Sequence, residues 1–293
     1  MPADPQPGIL APVPAHARHL FFDLTPGVSP ARVRRALADL GIDDGLVAGI
    51  GRTVVSALGA TVPGLREAPP LEGVGLSFPS TPMGLWLWLR GSDRGELLQR
   101  TRALRSRLEA VFDLVDVVES FMYGASLDLT GYVDGTENPT GEDAARAALV
   151  ADAGPGLDGA SFVAVQRWRH DLDAFFAQSD SECDATFGRR IADNEEIEDA
   201  PESAHVKRTA QEDFEPEAFV VRRSMPWSDP NGEGLVFVAF AASFEPFEAL
   251  SRRMLGIDDG ITDALFRFTA PETGSYFWCP PVDGRRLDLS ALG

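Results

Sequence analysis

The residues best placed to do chemistry lie in Gly131-Tyr-Val-Asp-Gly-Thr-Glu-Asn-Pro139. This stretch sets one carboxylate, Asp134, against a glycine, in a segment too rich in turn formers to be helix or strand. Gly135 lets the backbone turn and come close to a ligand. Thr136 and Asn138 offer side-chain hydrogen bonds to the loop or to that ligand, and Pro139 stiffens the exit. A carboxylate held in such a loop can carry a proton; by itself, Asp-Gly is also an ordinary surface turn. A second set of groups follows. The chain has four histidines, His16, His19, His170 and His205. His16 and His19 lie in a proline-rich lead and read as solvated or strand-edge residues, while His170 ends an apolar run at a strand-to-helix junction. His205 stands in Pro201-Glu-Ser-Ala-His-Val-Lys-Arg208, after an acidic stretch, where a ligand role and a plain loop histidine are both open. Phe219-Val-Val-Arg-Arg-Ser-Met-Pro-Trp227 is a strand-like run with two adjacent arginines, and Asp263 opens Asp-Ala-Leu-Phe-Arg-Phe-Thr269.

Taken together and in this order, these pieces resemble the dye-decolourising peroxidases, haem enzymes with an Asp-Gly motif in place of a distal histidine, and most closely their bacterial type-B branch. The likeness runs over nearly the whole chain. It begins at Pro7-Gly-Ile-Leu10 and centres on Gly131–Pro139. It continues through Phe162-Val-Ala-Val-Gln-Arg-Trp168, Gly188-Arg189, Asn194-Glu-Glu-Ile197, Ser203-Ala-His205 and Val221-Arg-Arg-Ser224. Asp263–Thr269 and Thr273-Gly-Ser-Tyr-Phe277 close it. The resemblance implies haem b (iron protoporphyrin IX) as cofactor. It implies a peroxidase that uses hydrogen peroxide to oxidise dyes, phenols or other reductants through a ferryl intermediate, best in mildly acid solution.

Carried over position by position, the resemblance makes His205 the axial, iron-binding residue and Asp263 the carboxylate behind it. A histidine that donates its other N–H to a carboxylate becomes a stronger donor to the metal. Asp134 matches the catalytic aspartate. The family's run of arginine, one variable residue, small polar residue, apolar residue and proline maps onto Arg222, Arg223, Ser224, Met225 and Pro226. Strand alternation puts Arg222 and Ser224 on one face and Arg223 on the other. Arg222 is therefore expected at the peroxide, with Ser224 beside it. An arginine there favours the ionised carboxylate and stabilises charge as the O–O bond polarises. Arg189 is the leading candidate for a haem propionate, with Arg208 and Asn138 as weaker ones. Gly135 and Thr136 are counted among the cofactor contacts. Asp263 also reads as a helix-start charge, and Arg208 as a surface salt bridge.

The elements that must position these residues follow the hydrophobic pattern. His19–Leu24 reads as a strand, and Ser29-Pro30 starts a helix that Gly41 ends. Leu46–Ile50 is a strand, Val54–Leu58 helical, and Leu85-Trp-Leu-Trp-Leu89 a buried strand. Ser92 begins a longer helix in which Leu97, Leu104, Leu108 and Val111 recur at helical spacing, before a strand at Leu114–Val118. The second half repeats the theme. Ser161–Gln166 is a strand and His170–Gln178 is helical; the acidic insertion carrying His205 follows. Strands at Phe219–Arg223 and Gly234–Ala242, a helix through Phe247, Leu250 and Met254, and strands at Phe266–Thr269 and Ser275–Trp278 complete it. The order is β-α-β-β-α-β twice. Order alone thus gives an α+β fold class with two ferredoxin-like halves, and the resemblance implies that they form a dimeric α+β barrel-like haem protein. Residues 1–145 carry the Asp-Gly motif, residues 146–293 carry the haem ligand and the arginine, and Gly141–Asp158 is the linker candidate.

Composition narrows the function classes. With 26 Lys and Arg against 45 Asp and Glu, the net charge is −19, and no basic stripe stands out, so nucleic acid is disfavoured as a partner. Two cysteines, Cys183 and Cys279, are too few for a disulfide scaffold and fit a reducing compartment. No apolar run reaches membrane-spanning length and no leader precedes the first strand, which reads as a cytoplasmic protein with no membrane contact. The family resemblance implies a homo-oligomer. Some relatives enter encapsulin shells through a C-terminal extension; here Leu287–Gly293 follows soon after the last strand, so that partner is unsupported. Glu137, Glu215 and Glu217 read as a divalent-cation cluster or, more simply, as solvated charge. The alternative functions are a haem- or porphyrin-handling protein without turnover, which has no need of both Asp134 and Arg222, and a colourless carboxylate-dependent hydrolase.

Overall fold

The computed structural model describes residues 4–73 and 75–293. The first half contains strand β1 (His16–Leu24), helix α1 (Pro30–Ala38), β2 (Leu46–Ile50) and the short α2 (Arg52–Ala57). Two-residue strands β3 (Leu71–Glu72) and β4 (Ser77–Phe78) precede β5 (Leu85–Gly91), α3 (Arg94–Leu108) and β6 (Phe112–Phe121). The second half begins with α4 (Gly141–Ala148), β7 (Ser161–His170), α5 (Leu172–Phe176), α6 (Asp180–Phe187) and α7 (His205–Arg208). Then come β8 (Val221–Arg222), β9 (Met225–Asp229), β10 (Gly232–Ala241), α8 (Glu245–Met254), β11 (Thr269–Pro271) and β12 (Ser275–Cys279). A small hairpin, β13 (Val282–Asp283) and β14 (Arg286–Leu287), ends it.

One sheet carries the fold. Its order is β11-β7-β12-β2-β5-β1-β6-β9-β10-β8, and pairing of β7 with β10 closes it into a barrel. Closure removes the open edges that would otherwise invite association. Each half contributes an antiparallel sheet with its first and third strands at the centre: β6-β1-β5-β2 from the first and β9-β10-β7-β12 from the second. This is the ferredoxin-like α+β arrangement expected from the element order. The two seams are thin, with one registered pair each, Trp278 opposite Ile50 and Ser120 opposite Trp227. Few ladder hydrogen bonds therefore cross the seams, and packed interior side chains and loop-to-loop hydrogen bonds such as Asn138–Arg222 and Thr81–Gly274 join the halves.

Strand alternation supplies those side chains. Leu85, Leu87 and Leu89 of β5 face the helices, while Trp86 and Trp88 face the barrel interior with Phe240 and Phe277. Both faces of β5 are buried, so it reads as a continuous apolar run. His19 is not solvated. It lies buried in the barrel, its ring 6.0 Å from both Trp86 and Trp88, and burial lowers its pKa to about 3.

Some local expectations need correction. The linker candidate is partly helix: α4 buries Ala144 and Ala148. Asp93, not Ser92, caps α3, accepting from the Glu96 N–H at 2.8 Å. His170 stays in β7, and Asp171 caps a shorter α5. The strand expected at Phe266–Thr269 is a 3₁₀ turn, Ala264–Arg267, followed by β11; Asp263 caps the turn and so breaks the run.

Candidate functional site

A cavity of about 360 Å³ opens beside the second half's sheet, within the size range of small-molecule and cofactor sites. Leu235, Phe237, Leu250, Met254, Leu265 and Phe268 give it an apolar wall. Asp134, Gly135, Thr136, Arg189, His205 and Arg222 give it a polar one. The polar wall alone draws on four separate stretches of sequence that meet at one space.

His205 is the first residue of α7, and three contacts pin it. Asp263 is buried and accepts from His205 Nδ1 at 2.7 Å. The Ser203 carbonyl accepts from the Ala264 N–H at 2.8 Å, joining the segment to the turn that Asp263 caps. Gly188, which ends α6 at φ +81°, lets that helix meet Ala204 and Val206 on either side of His205; a Cβ there would lie 2.4 Å from Val206 Cγ1. With Nδ1–H donated to Asp263, the free Nε2 carries the lone pair. A hydrogen bond to a charged partner contributes about 1.5–3 kcal/mol and fixes the ring's orientation.

Asp134 sits in the turn of the motif loop, whose backbone it joins through its N–H to the Ser126 carbonyl. Gly135 at φ +83° completes that turn. Burial raises the Asp134 pKa, opposed by the positive charge of Arg222, with Asp128 adding to the rise. Thr136 accepts from Asn194 Nδ2 at 3.1 Å and ties the loop to the acidic insertion.

Arg222 ends β8 with its guanidinium toward the cavity. Its Nε is buried without a partner, and no salt bridge or hydrogen bond among the described residues engages the side chain. A buried, unpaired cationic donor is costly unless a ligand satisfies it. Its backbone is held from the motif loop: Asn138 Nδ2 donates to the Arg222 carbonyl and the Arg222 N–H donates to Asn138 Oδ1, both at 2.9 Å. The amide of Asn138 is thereby occupied, and Asn138 does not line the cavity. Replacing Asn138 by Ala is expected to remove about 1–3 kcal/mol of stability, two net hydrogen bonds, measured by denaturant titration.

Arg223 points away, donating to the Leu10 and Arg222 carbonyls. Ser224 is buried off the cavity. Its hydroxyl accepts from the Val238 N–H at 3.4 Å, standing in for a ladder carbonyl where the strand breaks between β8 and β9. Alternation across that break does not put Ser224 beside Arg222 at the cavity.

Arg189 lines the cavity but is already engaged, with Glu137 at 2.6 Å, Glu196 at 3.5 Å and the Asn194 carbonyl at 3.1 Å. Arg208 is not a surface residue. It is buried and bound to Asp259 and to the Arg253 carbonyl, away from the cavity. Glu137 pairs with Arg189, and the described residues hold no cluster of three metal-binding side chains. A metal at His205 therefore needs a prosthetic group that brings its own remaining ligands.

Sequence reasoning missed one pair in the wall: His170 Nε2 lies 3.0 Å from Asp128 Oδ2, and both residues line the cavity. The only local signal was Asp128-Leu-Thr130 just ahead of the motif, an Asx-type turn pattern.

Residues 125–284 match the model of the Dyp-type peroxidase C-terminal family. A dye-decolorizing peroxidase of Mycolicibacterium paratuberculosis is 30% identical over 96% of this chain and 85% of its own length. One from Mycobacterium tuberculosis is 32% identical over 95% of this chain and 89% of its own length. Among solved structures, a Rhodococcus jostii DypB variant in complex with heme superposes with a TM-score of 0.86, 28% identity, and 94% and 96% coverage of the two chains. A dye-decolorizing protein from Vibrio cholerae gives 0.84 and 29%, covering 93% and 95%.

Proposed function

The chain belongs to the dye-decolourising peroxidase family and is a haem-dependent peroxidase; on that premise we propose how its own residues divide the work. His205 would be the protein ligand that holds the iron of a bound haem, and Asp134 and Arg222 would act on hydrogen peroxide in the same cavity. The observation that carries this is the juxtaposition at one cavity of a histidine with a free Nε2, a half-buried carboxylate and an unpartnered guanidinium. These residues fit haem. The apolar wall suits a macrocycle, the orphaned Arg222 awaits an anionic or polar ligand, and no protein cluster among the described residues competes for a metal. Bound haem supplies the redox-active iron and the ring from which oxidising equivalents pass to reductants.

Asp263 holds the His205 Nδ1 proton and leaves Nε2 to donate its lone pair. Asp134, when ionised, accepts the proton that peroxide gives up and returns it to the departing oxygen. Arg222 favours the ionised form of Asp134 and sets fixed positive charge where oxygen leaves. Asn138 holds the Arg222 backbone to the same loop, so base and cation move as one unit. Gly135 and Thr136 shape the loop at the cavity, and Arg189, with its carboxylate partners, is the residue nearest in kind to a propionate anchor. Ser224 acts only through the backbone of β10. A haem carrier needs neither Asp134 nor Arg222, so their joint presence supports turnover.

The pH dependence follows from Asp134. The working form is the carboxylate, and burial raises its pKa. The reaction with peroxide should therefore fall on acidification along a limb lying above the ordinary carboxylate range, and Asp134→Asn should abolish that limb. Stopped-flow rates against pH at fixed ionic strength measure it; an identical limb in Asp134→Asn assigns it to another group. The limb sets the lower edge of a mildly acid optimum for dyes and phenols.

The boundary between the halves lies close to residue 145, with the motif loop carried by the first. A homo-oligomer in the cytoplasm is the assembly and location we favour; no helix among the described residues is long and apolar enough to cross a membrane. Light scattering of the purified protein tests the assembly.

A further inference from the structure

The cavity wall contains a titratable pair that the peroxide chemistry above does not use. His170 ends β7, and Asp128 lies in the lead-in to the Asp134 loop; both are buried. His170 Nδ1 is 2.6 Å from Thr269 Oγ1, and Nε2 is 3.0 Å from Asp128 Oδ2. Thr269 has a single hydroxyl proton, which it donates to the Arg169 carbonyl at 3.0 Å. Its oxygen therefore accepts from His170 Nδ1–H. The other Asp128 oxygen accepts from the Thr130 N–H at 2.9 Å and the Thr130 hydroxyl at 2.6 Å, an environment that suits the ionised acid. An ionised carboxylate can only accept, so Nε2 must donate as well. A ring that donates from both nitrogens is an imidazolium.

The pair also bears on Asp134 through the backbone. The Asp128 N–H donates to the Tyr132 carbonyl, and the Asp128 carbonyl accepts from the Gly131 N–H, both at 2.9 Å. Asp128 is thus the foot of the loop that carries Asp134, and His170 is where that foot meets the barrel.

We propose that His170 is a positioning residue: as an imidazolium paired with Asp128, it holds the foot of the Asp134 loop against the barrel, and losing its proton loosens that loop. Only the role of Asp134 rests on the peroxidase reading. The groups facing His170 are few. Asp128 is the charged one in contact; Thr269 and the Phe268 ring, its centroid 5.8 Å from that of the imidazole, are the β11-side neighbours. Tyr132 and Cys183 pack with Phe268, Asp171 turns to cap α5, and Asp134, Arg222 and His205 share the cavity.

The test begins with the histidine ring nitrogens, labelled with ¹⁵N in protein loaded with gallium protoporphyrin, which is diamagnetic. Four histidines give four ring systems, assigned by His→Gln replacement, with His170 reached by elimination if its own variant does not fold. The expected result is a doubly protonated His170 at pH 7.5, and a neutral one in Asp128→Asn at the same pH. With iron protoporphyrin, His170→Gln should react with peroxide roughly tenfold more slowly than wild type at pH 6. In the Asp128→Asn background, where the ring is expected to be neutral, the further His170→Gln replacement should change the rate little. A singly protonated His170 at pH 7.5 in the wild type overturns the proposal. So does a charged His170 whose replacement by Gln leaves the peroxide rate and its pH profile unchanged. The nitrogen spectra read the pair whether or not peroxide is turned over, so failure of the two readings can be told apart.

Discussion

Replacing Arg222 by Ala is expected to slow the reaction of the haem-loaded protein with hydrogen peroxide by roughly a hundred- to a thousandfold, about 3–4 kcal/mol of transition-state stabilisation. The loss is large because the guanidinium is aimed at the cavity with no protein partner among the described residues, so the ligand's developing charge is what it serves. Water substitutes poorly for fixed charge in a partly dry site. Asp134→Ala should cost less, since an ordered water can take over part of a proton transfer. The two residues are also linked through charge. Arg222 lowers the Asp134 pKa against the burial that raises it. Removing Arg222 should therefore move the acid limb of the peroxide reaction to still higher pH. Arg223→Ala is the control. Arg223 holds the Leu10 carbonyl, so its loss should lower stability by about 1.5–3 kcal/mol and leave the peroxide rate near wild type. Stopped-flow mixing of each variant decides. An unimpaired Arg222→Ala together with an inactive Arg223→Ala would place the cation one residue along the strand.

The second large effect belongs to His205. His205→Ala, loaded with haem, should lose the five-coordinate histidine-type Soret spectrum and most of its activity, and imidazole added to the solution should restore part of both. The described residues bring no metal-binding cluster together, and two of the remaining histidines are committed elsewhere, His19 inside the barrel and His170 to Asp128. Asp263→Asn keeps the shape but not the charge behind the ring. Loss of such a partner typically costs about 10- to 100-fold in affinity or activity, and the reduction potential should rise as His205 becomes a weaker donor. A spectrum and potential unchanged in His205→Ala would remove it from the iron.

Much of the molecule was legible before any coordinates, because much of it is local. The turn at Asp134-Gly135, the two-faced strand Leu85–Leu89 and the repeated element order each depend on residues close in sequence, and each appears as expected. The assignment of His205 and Asp263 to one unit came from family likeness, and the 2.7 Å bond between them spans 58 residues. Where local reading failed, the competing influence was also close at hand. Asp263 capped a turn where a strand was expected, and the break after Arg222 turned Ser224 into the ladder.

What sequence alone determined, then, is the inventory: which residue types are present, the strands and helices that carry them, and the family to which their order points. Tertiary structure decided the partners. Asn138 holds the backbone of Arg222 from 84 residues away, Arg189 is taken up by Glu137 at a separation of 52, and His170 meets Asp128 across 42. None of these contacts has a periodicity or a spacing that announces it. They exist because closing the barrel brings the motif loop, the acidic insertion and β7 around one cavity. Buried polar groups in such a space must find hydrogen-bond partners wherever the fold happens to supply them.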